Sequence, residues 1–133
     1  MPAADPSTVT ASYKRGLSLA RAGAFFEAHE EFEDAWRACE RPERDFFQGL
    51  VHVVVSAYQE TRDRPVAHER QRLKARTRLA AYAPVHRGLD VELLLAVLER
   101  SEADPREHLV ERHAQPPVAV EEEQKTERDE DRA

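Results

Sequence analysis

The run from Phe46 to Glu60, FFQGLVHVVVSAYQE, constrains the fold more than any other part of the chain. Its apolar residues Phe46, Phe47, Leu50, Val51, Val53, Val54, Val55, Ala57 and Tyr58 cover most of a helical circumference. The run is longer than an ordinary strand, although its β-branched content keeps a strand as the alternative. A helix apolar nearly all round is a buried one, so the remaining elements must pack around it. Its polar residues Gln48, His52, Ser56 and Gln59 recur at spacings of four, four and three, which makes them one narrow stripe. Such a stripe is either a polar seam between packed helices or the lining of a pocket. A seam must be satisfied group by group, because each unpaired buried polar atom costs about 1–3 kcal/mol.

Four further helices follow from spacing and punctuation. Asp5-Pro6-Ser7 marks a helix entry, and Tyr13, Leu17 and Ala20 line one face up to Gly23. Phe25, His29, Phe32 and Trp36 form the inner face of a second helix that Pro42 closes, with Trp36 as a core anchor and Glu27, Glu31 and Asp34 outward. A fourth helix is predicted over Val66–Tyr82 with Leu73, Thr77 and Ala80 inward. After a loop over Pro84–Gly88, Asp90 caps a fifth carrying Leu93, Leu94, Val97 and Leu98, and a short helical piece is predicted from beyond Pro105 to about His113. The predicted class is all-α: a compact bundle of about five helices with a buried central helix at about 46–60.

A length of 133 residues fits one domain. The boundaries read as a flexible N-terminus over 1–6, a single helical domain over 7–113 and a disordered acidic tail over 114–133. Residues 116–133 hold seven acids and three bases, against 19 and 17 in the rest, so much of the net charge of −6 sits in the tail. A nearly balanced body argues against a general nucleic-acid binder. The basic segment 62–78 is opposed locally only by Asp63 and Glu69. Intramolecular pairing, for which the acids of the second helix offer one surface, or plain solvation is the expected state of that segment. Cys39 is the only cysteine, so no disulfide can form within the chain and a reducing cytoplasm is the expected compartment. No apolar stretch approaches the roughly 20 residues that span a bilayer.

The candidate site is a polar cluster of His29, Glu30, Glu33, Gln48, His52 and Gln59. His29 and Glu33 share a helical face, and a carboxylate joins imidazole in ligating zinc or iron; His52 would supply a third ligand. The competing reading is a buried His–Glu hydrogen-bonded pair that satisfies polar atoms in the core. The expectation is that His29, Glu33, Gln48, His52 and Gln59 meet where the second helix packs on the central one.

Gly16, Ala20, Gly23, Phe25, Ala28, Phe32, Ala35 and Pro42 give residues 9–42 a resemblance to one tetratricopeptide unit, which implies a helical hairpin with small residues at the crossing. A second resemblance rests on Phe26-Glu-Ala-His29-Glu30-Glu-Phe-Glu33-Asp-Ala-Trp36 and Phe46-Phe47-Gln48-Gly49-Leu50-Val51. Leu73, Leu79 through Tyr82, Pro84 and Gly88-Leu89-Asp90-Val91 extend it, so that it covers about residues 12–100. These motifs are similar to the domain-of-unknown-function family 309, which implies a small helical protein and no particular activity. His52 stands where that family usually has Gln, and Gln59 where it has His. Asp63-Arg64 and Ala67-His68 replace its Gly-Asn and Gly-Ala signature. Exchanging His and Gln preserves a hydrogen-bond network while altering a fixed metal geometry. The leading expectation is a binding or scaffold protein with a small polar pocket between helices, whose partner is a protein, a small ligand or a second copy in a homodimer. An enzyme built on His29, Glu33 and His52, with or without a divalent metal, is the alternative, and nucleic-acid association through 62–78 comes last.

Overall fold

The structure, a computed structural model, describes residues 6–100 and 108–112. The expectations for residues 1–5 and for the acidic tail lie outside the described residues. Helices α1 (Pro6–Arg21), α2 (Phe25–Ala38), α3 (Arg44–Thr61), α4 (Pro65–Leu79) and α5 (Val91–Leu98) follow in order, with single 3-10 turns at Arg41–Glu43 and Ala80–Tyr82. Pro6 opens α1, where its missing N–H costs nothing and its fixed φ suits the first turn. Gly23 (φ 83) ends that helix in a left-handed turn that a side chain would strain.

Short connections make α1 to α4 alternate in direction, so α2 and α4 run parallel to each other on either side of α3. Helix α1 packs on α2, α2 on α3 and α3 on α4, while α5 leans on α4. The α1–α2 hairpin crosses closely where Gly16 lies under the Phe32 ring, as the tetratricopeptide resemblance implied. Phe46, Phe47, Leu50, Val53 and Val54 of α3 are buried at the centre. The opposite side of α3, with Gln48, Val51, His52 and Val55, is only half-buried, so the central helix is open along one face. Trp36 packs at the edge of the core, half-buried, with the Arg44 guanidinium 4.3 Å above its ring.

Three segments depart from expectation. Helix α4 buries His68, Arg72, Ala75 and Leu79, while Leu73, Thr77 and Ala80 are exposed. Its phase is set by Gly49 of α3, whose bare Cα lets Leu79 approach to 2.6 Å of where a β-carbon would stand. The predicted loop over 84–88 is a hairpin: Val85–His86 pairs with Leu89–Asp90, turning on Arg87 (φ 49) and Gly88 (φ 76). Positive φ at both central residues is the requirement of a type I′ turn. Beside it, residues 109–112 run extended rather than helical. Asp90 N donates to Val110 O at 2.9 Å and Arg112 N to Gly88 O at 2.7 Å. Asp90 caps α5 as expected, accepting from Leu93 N at 2.9 Å.

Candidate functional site

The polar stripe of α3 faces α4 rather than α2. His52 is half-buried, and its Nδ1 lies 2.6 Å from Gln71 Oε1, so with the proton on Nδ1 it donates to that amide. Burial pushes the His52 pKa down; the Gln71 bond pulls it back, and Lys74 and Arg78 push it down again, leaving it below its ordinary 6.5. The imidazole is therefore neutral near pH 7, with Nε2 left as an acceptor. Asp45, Gln48 and His52 of α3 and Leu73, Lys74, Thr77 and Arg78 of α4 line an open cleft of about 460 Å³. Arg78 Nη1 donates to Asp45 across the cleft at 2.7 Å, whereas Lys74 makes no ion pair among the described residues.

The remaining candidates stand elsewhere. His29 Nε2 is 3.1 Å from Glu33 Oε2, and Arg37 also donates to Glu33 at 3.3 Å, so the predicted His–Glu pair exists within α2. The pair is half-exposed rather than buried, and His29 Nδ1 is buried with no hydrogen-bond partner among the described residues. Glu30 is exposed. Gln59 is half-buried, with its Oε1 likewise unsatisfied. The His29 ring lies 5.8 Å from Phe26, which touches Tyr58 on the α2 flank of α3, while His52 lies on the α4 flank. The expected five-side-chain network across the α2–α3 interface is thus not assembled, because the stripe follows α4. Among the described residues no three His, Cys, Asp or Glu side chains group to hold a metal ion, so His29, Glu33 and His52 do not form one ligand set.

Two polar clusters escaped the sequence reading. Ser56 Oγ donates to His68 O, and His68 Nδ1 lies 2.9 Å from Ser56 O, a reciprocal clasp between α3 and α4. One turn on, the buried Arg72 donates to Leu98 O at the end of α5 and pairs with Glu69. Between them lies a cavity of about 10 Å³, about the space of one water. The sequence pattern favours Leu73, Thr77 and Ala80 as the inner face; the signal for the observed one is the 68-72-75-79 periodicity, masked by the polarity of His68 and Arg72. The second cluster joins distant segments: Glu43 accepts from His86 Nε2 at 2.9 Å and from Arg87 Nε at 2.7 Å. Burial would raise the Glu43 pKa, but the Arg87 and His86 hydrogen bonds outweigh it and hold the carboxyl below its usual 4.5. Burial pushes the Cys39 thiol up, so the thiolate of a reactive cysteine is disfavoured there.

The basic segment is paired mainly outside α2. Arg72 meets Glu69, Arg76 meets Glu99 at 3.4 Å and Arg78 meets Asp45, while the acids of α2 pair with Arg15 and Arg37. The segment is thus paired within the molecule or exposed, as expected, but the acids come from elements other than α2. What the sequence did place correctly is the run from α1 to α4. Residues 13–71 match the DUF309 family, a domain of unknown function. The matched segment contains all six candidate residues and Gln71, the partner of His52; it ends before Lys74 and Arg78, and short of the 12–100 span that the motifs suggested. No curated protein and no solved structure matches the chain. Among the described residues no helix is long and apolar enough to cross a membrane.

Proposed function

We propose that the protein is a binding module and that its α3–α4 cleft receives a carboxylate-bearing partner. The observation that carries this reading is Lys74, an ammonium group in the cleft with no ion-pair partner among the described residues. Arg78, although tied to Asp45, adds positive potential at one end, and the Gln48 amide offers further donors. His52, held neutral, adds no repulsion toward a second cation and presents Nε2 to a partner's hydrogen-bond donor. Leu73, 45% exposed, gives an incoming group an apolar surface to cover.

An exposed ion pair alone contributes about 0–1 kcal/mol, so the cleft must engage an acidic peptide through several contacts at once, for a dissociation constant of about 0.1–1 mM, or about 4–5.5 kcal/mol. Anisotropy of a fluorescein-labelled oligoglutamate peptide tests this. Binding should weaken as salt rises toward about 0.1 M, where the screening length falls to about 10 Å. Lys74→Glu should reduce affinity about tenfold or more. Equal binding by the variant, or none at millimolar peptide, would sink the reading.

A further inference from the structure

Among the described residues, some charges of α2 and α4 are left without an ion-pair partner. Among the described residues Glu27 and Glu30 of α2 make no ion pair, and neither do Arg70 and Lys74 of α4. Both sets are exposed, and they flank the open side of α3, where Val51 and Val55 are half-buried. Each flank also carries apolar surface that the fold leaves uncovered. Phe26 is 51% exposed on the acidic side. Val66 is 69% exposed on the basic side, in a groove formed with Pro65, Glu69, Arg70 and Leu73. An acidic wall with an aromatic knob and a basic wall with an apolar groove are complementary to each other, and they belong to the same chain.

We infer that this face binds a second copy of the chain, with Phe26 of each protomer seated in the Val66–Leu73 groove of its partner. The inference rests on the carboxylate-binding reading of the α3–α4 side and names the source of the carboxylates as α2 of the second copy. A two-fold axis lying in the face and parallel to α3 places each α2 over the partner's α4. The two helices then run in the same direction, because α2 and α4 are parallel within one chain. Phe26 touches Tyr58 near the end of α3, and Pro65 and Val66 begin α4 after the turn that follows, so knob and groove lie at the same end of the bundle. Glu30, one turn beyond Phe26, then meets Arg70, one turn beyond Val66, and Asp34 meets Lys74. The other in-plane axis, perpendicular to α3, would stack α2 on α2 and set like charges against each other.

Analytical ultracentrifugation of the full chain, at rising concentration and two salt levels, tests this. The expected result is a species of twice the 15.2 kDa chain mass whose dissociation constant rises with salt. Phe26→Glu, Glu30→Arg and Arg70→Glu should each weaken self-association about tenfold or more. Glu30→Arg combined with Arg70→Glu restores opposite charges across the two-fold, so the double variant should recover dimerisation. All three positions of substitution are exposed, and a circular-dichroism melt confirms that each variant is folded. A monomer at millimolar concentration overturns the proposal, as does a dimer indifferent to Phe26→Glu or a double variant no better than its parents. If the chain is monomeric, oligoglutamate binding still separates the two ideas: a monomer that binds the peptide keeps the cleft, and one that does not loses both.

Discussion

At His52, burial, one hydrogen bond and two neighbouring cations act on a single imidazole, and their balance has a measurable consequence. The folded-state pKa lies below 6.5, so on acidification the unfolded chain takes up this proton before the folded chain does. Stability from the neutral ring is therefore full above pH 6.5 and falls as pH drops through 6.5 toward the folded value. His52→Gln keeps a partner for Gln71 without a titrating group. The melting temperature of this variant should decline less between about pH 7 and 5 than that of the parent chain. Parallel curves would show that His52 does not contribute to the acid limb. The His29–Glu33 pair was legible because a spacing of four fixes it within one helix. The His52–Gln71 contact was not, since it depends on which flank of α3 receives α4.

Among the elements, α4 shows how charge conceals a buried face. Arg72 and His68 point inward because each finds partners there: the last carbonyl of α5 and Glu69 for one, Ser56 for the other. A buried charge is tolerated only when it is paired and hydrogen-bonded, a condition that no local pattern of polarity can express. The observed phase predicts opposite outcomes for two leucines of one helix. Leu79→Ala, in contact with Gly49, should cost about 2–5 kcal/mol in urea unfolding. Leu73→Ala, 45% exposed, should stay within about 0.5 kcal/mol. The reverse order would restore the phase expected from the sequence. Helix α3 was readable by contrast, because an apolar surface that wraps most of a helix leaves few alternatives for where it sits.

For the molecule as a whole, the extended segment at 109–112 ties the first helix to the β-hairpin. Leu109 is 2% exposed, Arg21 at the end of α1 donates to its carbonyl at 2.8 Å, and Leu89 pairs with Glu111. Leu109→Ala should cost about 2–5 kcal/mol, lowering the melting temperature by roughly 4–8 °C per kcal/mol for a domain near this size. A melting temperature unchanged by the substitution would mean that the segment does not dock. The sequence by itself determined the all-α class, the order and approximate ends of the five helices, the burial of α3 and the caps and turns at Pro6, Gly23 and Asp90. These follow from periodicity and backbone preference, which act within a few residues. Tertiary structure alone decided the phase of α4, the flank that the polar stripe meets, and the joining of Glu43 to His86 and Arg87. Those outcomes depend on which distant group satisfies a buried charge and on where a glycine lets two helices approach, and neither is written in the spacing of nearby residues.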